Sequence, residues 1–224
     1  MKNFAICVCV GFVVLGVSTS FAGLYTGSLS SLDGGIVSSG QSWVSPPGFE
    51  VNWQVEQTSF DTWHYRYTFS DENGDELSMQ VSHLIISLSD NIQQGDLFNF
   101  GTDVAGTEIG DFGPAPGNPG FPDDETIFGI KLDMGNDQLI AEFDSTRQPM
   151  WGDFYAKDGG TPENYAYNSD IGTEVFNLHG FDEIPVDISG NELNKVLVPN
   201  SVPEPATLIL LGIGGVLLRK RRVF

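Results

Sequence analysis

The stretch that most constrains the fold is Trp63-His64-Tyr65-Arg66-Tyr67-Thr68-Phe69, in which four aromatic residues alternate with three polar ones. A period of two places all four rings on one face of a β-strand and the polar residues on the other. A helix would scatter them around its circumference. The same alternation precedes it in Val51-Asn52-Trp53-Gln54-Val55-Glu56 and follows it at Leu77, Met79 and Val81. Asn73-Gly74 lies between the last two segments and supplies the positive φ angles of a tight turn, so a β-hairpin is expected there. Leu84 to Leu88 reads as an inner strand. Strands are also expected over Thr126–Met134 and Gln138–Ser145, joined as a second hairpin at Gly135-Asn136, and then over 150–156, 165–168, 173–178 and 184–188. The lead from Thr26 to Ser42 predicts an edge strand and loops. The Gly- and Pro-rich stretch from Gly95 to Asp124 predicts a long loop, and Asn194 to Ser201 a linker.

No part of the body carries an i, i+3, i+4 apolar stripe over a dozen residues. Short strands separated by Asn-Gly and Gly-Pro turns predict an all-β fold, an antiparallel β-sandwich of jelly-roll-like or Ig-like type. Residues 23–198 are long enough for one well-buried core.

Both ends differ from this body. Lys2, the apolar run from Phe4 to Val17 and the small residues of Ser20-Phe21-Ala22 predict an N-terminal signal helix over 1–22. Signal peptidase would cut it after Ala22. Cys7 and Cys9 both fall inside it, so the exported chain has no disulfide and no thiolate chemistry. At the other end, residues 199–224 divide into three parts. Pro203-Glu204-Pro205 resists helix formation. Ala206 to Leu218 is an uncharged run that predicts a single short transmembrane helix. Arg219, Lys220, Arg221 and Arg222 would orient that helix with its C-terminus in the cytoplasm.

The order Pro-Glu-Pro, short apolar helix, basic cluster at 203–222 resembles the PEP-CTERM sorting signal. That resemblance implies processing by an exosortase, transient anchoring in the inner membrane, and delivery to the cell surface or extracellular exopolysaccharide of a biofilm-forming bacterium. Segments of the body, among them 82–86, 117–120, 127–132 and 147–159, resemble an architecture that recurs among PEP-CTERM proteins. This implies a surface domain without assigning it an activity.

Thirty acids and only five bases (Arg66, Lys131, Arg147, Lys157 and Lys195) lie between Gly23 and Pro205, a net charge of −25 on the exported part. A phosphate backbone would be repelled, which argues against nucleic acid as a partner. Asp71, Asn73 and Asp75 offer oxygens at alternate positions as a calcium loop would, but an EF-hand needs Gly sixth and Glu twelfth, where Glu76 and Ser82 stand. A turn is the favoured reading, and no cofactor is expected. His64, His83 and His179 are scattered and form no zinc-binding spacing. No nucleophile elbow, P-loop or dinucleotide fingerprint occurs, so the expectation is a non-enzymatic protein. A polysaccharide hydrolase would need an acid pair, and thirty acids make any such pair uninformative. Trp151, Asp153 and Tyr155 are the candidates for carbohydrate binding, an aromatic platform beside hydrogen-bonding groups. A carbohydrate-binding module is therefore the alternative to a structural or adhesive surface protein.

Overall fold

A computed structural model describes residues 23–199 except 41–42, 45, 136–138 and 177–179. The signal segment, Ala22, the Pro203-Glu204-Pro205 tripeptide, the apolar run 206–218, the basic residues 219–222 and His179 lie outside the described residues.

The chain is all-β. It runs β1 (Leu24–Ser30), β2 (Ile36–Ser39), β3 (Glu50–Ser59), β4 (Thr62–Ser70), β5 (Val81–Ser87), β6 (Leu97–Phe98), β7 (Val104–Phe112), β8 (Ile127–Met134), β9 (Ile140–Ser145), β10 (Pro149–Gly152), β11 (Phe154–Asp158), β12 (Tyr165–Asn168) and β13 (Val196–Pro199). One antiparallel sheet has the order β1-β3-β4-β9-β6 and a second has β2-β12-β11-β5-β8-β7, while β10 and β13 pair separately. No helix among the described residues is long and apolar enough to cross a membrane.

The alternation in β4 has the consequence its sequence predicts. Trp63, Tyr65, Tyr67 and Phe69 are buried, and His64, Arg66 and Thr68 lie on the opposite, half-exposed face. There Arg66 pairs with Glu142 at 3.3 Å and His64 Nδ1 with Asp144 at 2.8 Å, both across the register of β4 with β9. The inward rings meet Leu84, Ile86, Ile130, Leu132 and Phe154 of the second sheet in one hydrophobic cluster, so the sheets form two layers over a shared core. Tyr65 and Phe143 stack within it at 5.4 Å.

The central strand β5 is buried on both faces. Leu84 and Ile86 point into the main core, and His83 and Ile85 point outward. What covers that outer face is the Gly- and Pro-rich loop after β7. Phe121 packs on Tyr155 at 5.1 Å, and the Tyr155 hydroxyl donates to the Pro119 carbonyl at 2.7 Å. Gly120 makes the approach possible: at φ +67° a Cβ would lie 1.9 Å from the Tyr165 ring. Ile127 and Ile171 complete this second, smaller core.

Several strand pairings depart from the sequence expectation. The Asn73-Gly74 segment is a turn, with Gly74 at φ +79°, but it does not close a hairpin. Strand β4 pairs with β3 and β9, and the chain beyond the turn crosses to the other sheet as β5. The hairpin that β4 belongs to is β3–β4, closed over Phe60 and Asp61. Likewise β8 and β9 lie in different sheets, so Gly135 marks a crossing and not a second hairpin. The stretch read as a long loop from Gly95 contains β6 and the nine-residue β7, where Gly106 and Gly110 interrupt the apolar alternation that would have revealed a strand. Segment 150–156 breaks at Asp153 into β10 and β11. No strand forms over 173–176, and 184–188 contributes only the isolated bridge from Val186 to Glu192. Val196–Pro199, expected as linker, is a fully buried strand.

Candidate functional site

Strand β13 is built into the core. Val196, Leu197 and Val198 are buried, and the hydroxyl of Tyr67 donates to the Leu197 carbonyl at 2.7 Å across the molecule. The domain is thus closed by its last strand, with one residue, Asn200, between Pro199 and position 201.

The proposed sugar-binding trio does not converge. Trp151, on β10, is half-buried: its ring packs edge-on against Trp53 at 6.2 Å, and its indole N–H donates to the Glu183 carbonyl at 2.7 Å. It forms a wall of two clefts. One, of about 540 Å³, is lined by Ser87, Asp90, Asn91, Asp153 and Glu174 among others. The second, of about 490 Å³, is lined by Tyr25, Trp53, Phe181 and Ile184 among others. Tyr155 is corrected as a binding residue, because it has no accessible surface and its hydroxyl is committed to Pro119. Asp153 faces the first cleft but already holds three hydrogen-bonding partners, described below.

Of the oxygens proposed for calcium on Asp71, Asn73 and Asp75, Asp71 Oδ1 is used by the backbone. Oδ1 of Asp71 accepts the N–H groups of Asn73 at 2.8 Å and Asp75 at 2.9 Å, the Asx geometry of a tight turn. Asp71 is itself buried. Among the described residues no group of three or more His, Cys, Asp and Glu side chains is placed to hold a metal ion.

His83 occupies the smaller core. It is 7 % exposed, lies 6.1 Å from the Tyr155 ring, and its Nε2 is buried without a hydrogen-bond partner. Burial pushes its pKa down to about 4, helped by the charges of Lys157 and Lys131 and opposed by Asp133 and Asn118.

The most tightly organised polar cluster was not visible in the sequence. Lys195, whose side chain is 1 % exposed, places Nζ 2.5 Å from Oδ1 of Asp153 and 2.8 Å from the Asp170 carbonyl. The same Asp153 oxygen accepts Asn168 Nδ2 at 2.8 Å, and Asp153 Oδ2 accepts the Gly172 N–H at 3.2 Å. Asn168, fully buried, accepts the Phe154 N–H on Oδ1 at 2.9 Å and donates again to the Asn194 carbonyl at 2.9 Å. Its three residues come from the β10–β11 junction, the end of β12 and the approach to β13. Only sequence distance hides it: 153, 168 and 195 share no local motif.

No curated protein and no solved structure matches the chain. The family of the PEP-CTERM protein-sorting motif matches residues 201–222. That motif implies export through a membrane-anchored intermediate and an exosortase as the processing partner. The chain therefore carries a PEP-CTERM protein-sorting motif, set immediately behind the last core strand of an all-β domain.

Proposed function

We propose that this is a non-enzymatic surface protein, held briefly in the membrane by its C-terminal segment, released by an exosortase, and given a structural or adhesive role in the exopolysaccharide layer. The observation that carries the reading is the sorting motif at 201–222 behind a cysteine-free, strongly acidic domain. A net charge of −25 favours solubility outside the cell and keeps copies apart until they meet a matrix. Within the motif, Pro203, Glu204 and Pro205 are read by the enzyme, and Arg219 to Arg222 hold the short apolar run in place.

Replacing Glu204 by Ala removes the charge from the tripeptide and leaves the folded domain untouched. Export should continue, release into the medium should be abolished, and uncleaved chain should accumulate in the membrane fraction. Immunoblots of medium and membrane fractions decide it. Release of the variant at the wild-type level would overturn the sorting role given to Glu204.

A second reading, glycan binding, is favoured by one observation: the cleft of about 540 Å³ sets the half-buried Trp151 beside Asp90, Asn91 and Glu174. Trp151→Ala should cost about 2–3 kcal/mol of stability, below the value for a fully buried indole. It should also weaken pull-down by the producer's own polysaccharide. A fall in Tm with undiminished pull-down would assign Trp151 to packing alone and remove the glycan reading.

A further inference from the structure

We propose that Lys195 and Asn168 are joined in the mature protein by an intramolecular isopeptide bond, formed without any enzyme and with Asp153 carrying the protons.

Asp153 holds both partners of the reaction on a single oxygen. The nucleophile is Nζ of Lys195, withdrawn from water and hydrogen-bonded to Asp153 Oδ1 at 2.5 Å. The electrophile is Cγ of Asn168, whose leaving group Nδ2 donates to that same oxygen at 2.8 Å. Asp153 thus touches both the atom that must lose protons and the atom that must gain them. The carbonyl oxygen of Asn168 accepts the Phe154 N–H at 2.9 Å, a donor fixed in the backbone where negative charge would develop. The contacts of Asn168 Oδ1 and Nδ2 together fix which way the amide faces, so its leaving group and its carbonyl cannot exchange places. Holding these groups in one buried cluster replaces a bimolecular encounter by an intramolecular one.

The steps balance. A proton passes from the Lys195 ammonium to the Asp153 carboxylate, leaving a neutral amine beside a neutral acid. The amine lone pair forms a bond to Cγ of Asn168, and the carbonyl electrons move to Oδ1 under the Phe154 N–H. When the carbonyl re-forms, the Cγ–Nδ2 bond breaks. Asp153 gives its proton to Nδ2 and takes another from Nζ, and that one also leaves with the nitrogen. The products are a secondary amide and ammonium, with no oxidant or reductant consumed. Asp153 as the electrophile fits less well. Lys195 makes its other hydrogen bond to the Asp170 backbone carbonyl, so no second carboxylate is placed to shuttle protons on that contact.

Such a bond would tie the end of β12 to the residue just before β13, the last described strand before the sorting motif. Residues 23–224 contain no cysteine, so no disulfide can make that link.

The test is a peptide map of the full chain after export, purified and digested with a protease that cuts after Glu. Residues 164–174 should be recovered joined to the peptide that begins at Leu193, lighter than the two unlinked peptides by about 17 Da relative to their sum, the mass of ammonia. Lys195→Arg should give the two peptides separately and a lower Tm. Because the decisive measurement is on the wild type, it does not depend on any variant folding. Unlinked wild-type peptides would overturn the proposal. A loss of about 18 Da, the mass of water, with the link mapped to Asp153, would overturn the assignment to Asn168.

Discussion

Trp43→Ala is expected to lower the stability of the domain by about 3–5 kcal/mol. The indole is completely buried, packs on Phe49 at 4.6 Å, and donates its N–H to the Met79 carbonyl at 2.8 Å. Truncation leaves a cavity under the five-stranded sheet and an unpaired carbonyl beside it, two costs that add. For a domain of this size the Tm should fall by roughly 6–20 °C. Thermal melts followed by near-UV circular dichroism measure it. A shift of only a few degrees would mean that the 71–80 crossing relaxes onto the vacated site, so that Trp43 is not the wedge between the sheets that its burial indicates.

The second large effect is a loss of stability on mild acidification. His83 is held neutral in the folded chain, with a pKa of about 4 against 6.5 for an unperturbed imidazole. Between those values the unfolded chain binds the proton and the folded chain does not. Stability from this group is therefore fully present above about pH 6.5 and is lost as the pH falls towards 4. Over that window the loss is about 3 kcal/mol. Carboxylates begin to protonate at the lower end of the same window, and relief of their repulsion works in the opposite direction. Comparison of wild type with His83→Gln isolates the histidine, because the variant has nothing to titrate there. The wild-type Tm should drop more steeply between pH 7 and 4.5 than that of the variant. Parallel curves would show that His83 finds water or a partner when it charges.

The sequence was legible wherever one residue faced one environment. In β4 every aromatic faces the core and every polar residue faces out, so the alternation states the strand and its orientation together. Pairing was less legible, because Asn-Gly reports only that the chain turns. The same positive-φ glycine serves a hairpin and a crossing between layers, and at Gly74 it serves a crossing. Strand β7 is hidden in the sequence for a different reason: as the outermost strand of its sheet it is half-exposed along most of its length, so no apolar period marks it. Tyr155 looked like a surface ring because it stands beside Gly152 and Asp153. The loop that buries it lies more than thirty residues earlier, and nothing in its own neighbourhood reports that cover. The C-terminal motif was fully legible because its residue types follow one another in a single local stretch, 201–222.

That the core is closed by β13 also governs timing. Tyr67 waits for the carbonyl of Leu197, 130 positions later, and Val196, Leu197 and Val198 fill a space that nothing earlier in the chain occupies. A topology dominated by such distant partners folds slowly and stays sticky until it is complete. The domain cannot finish without residues 196–199, and the sorting motif begins two positions further on, at residue 201. Closure of the core and presentation of the tail therefore depend on adjacent residues, so that a chain in which β13 has not docked would offer the sorting motif with its interior still open.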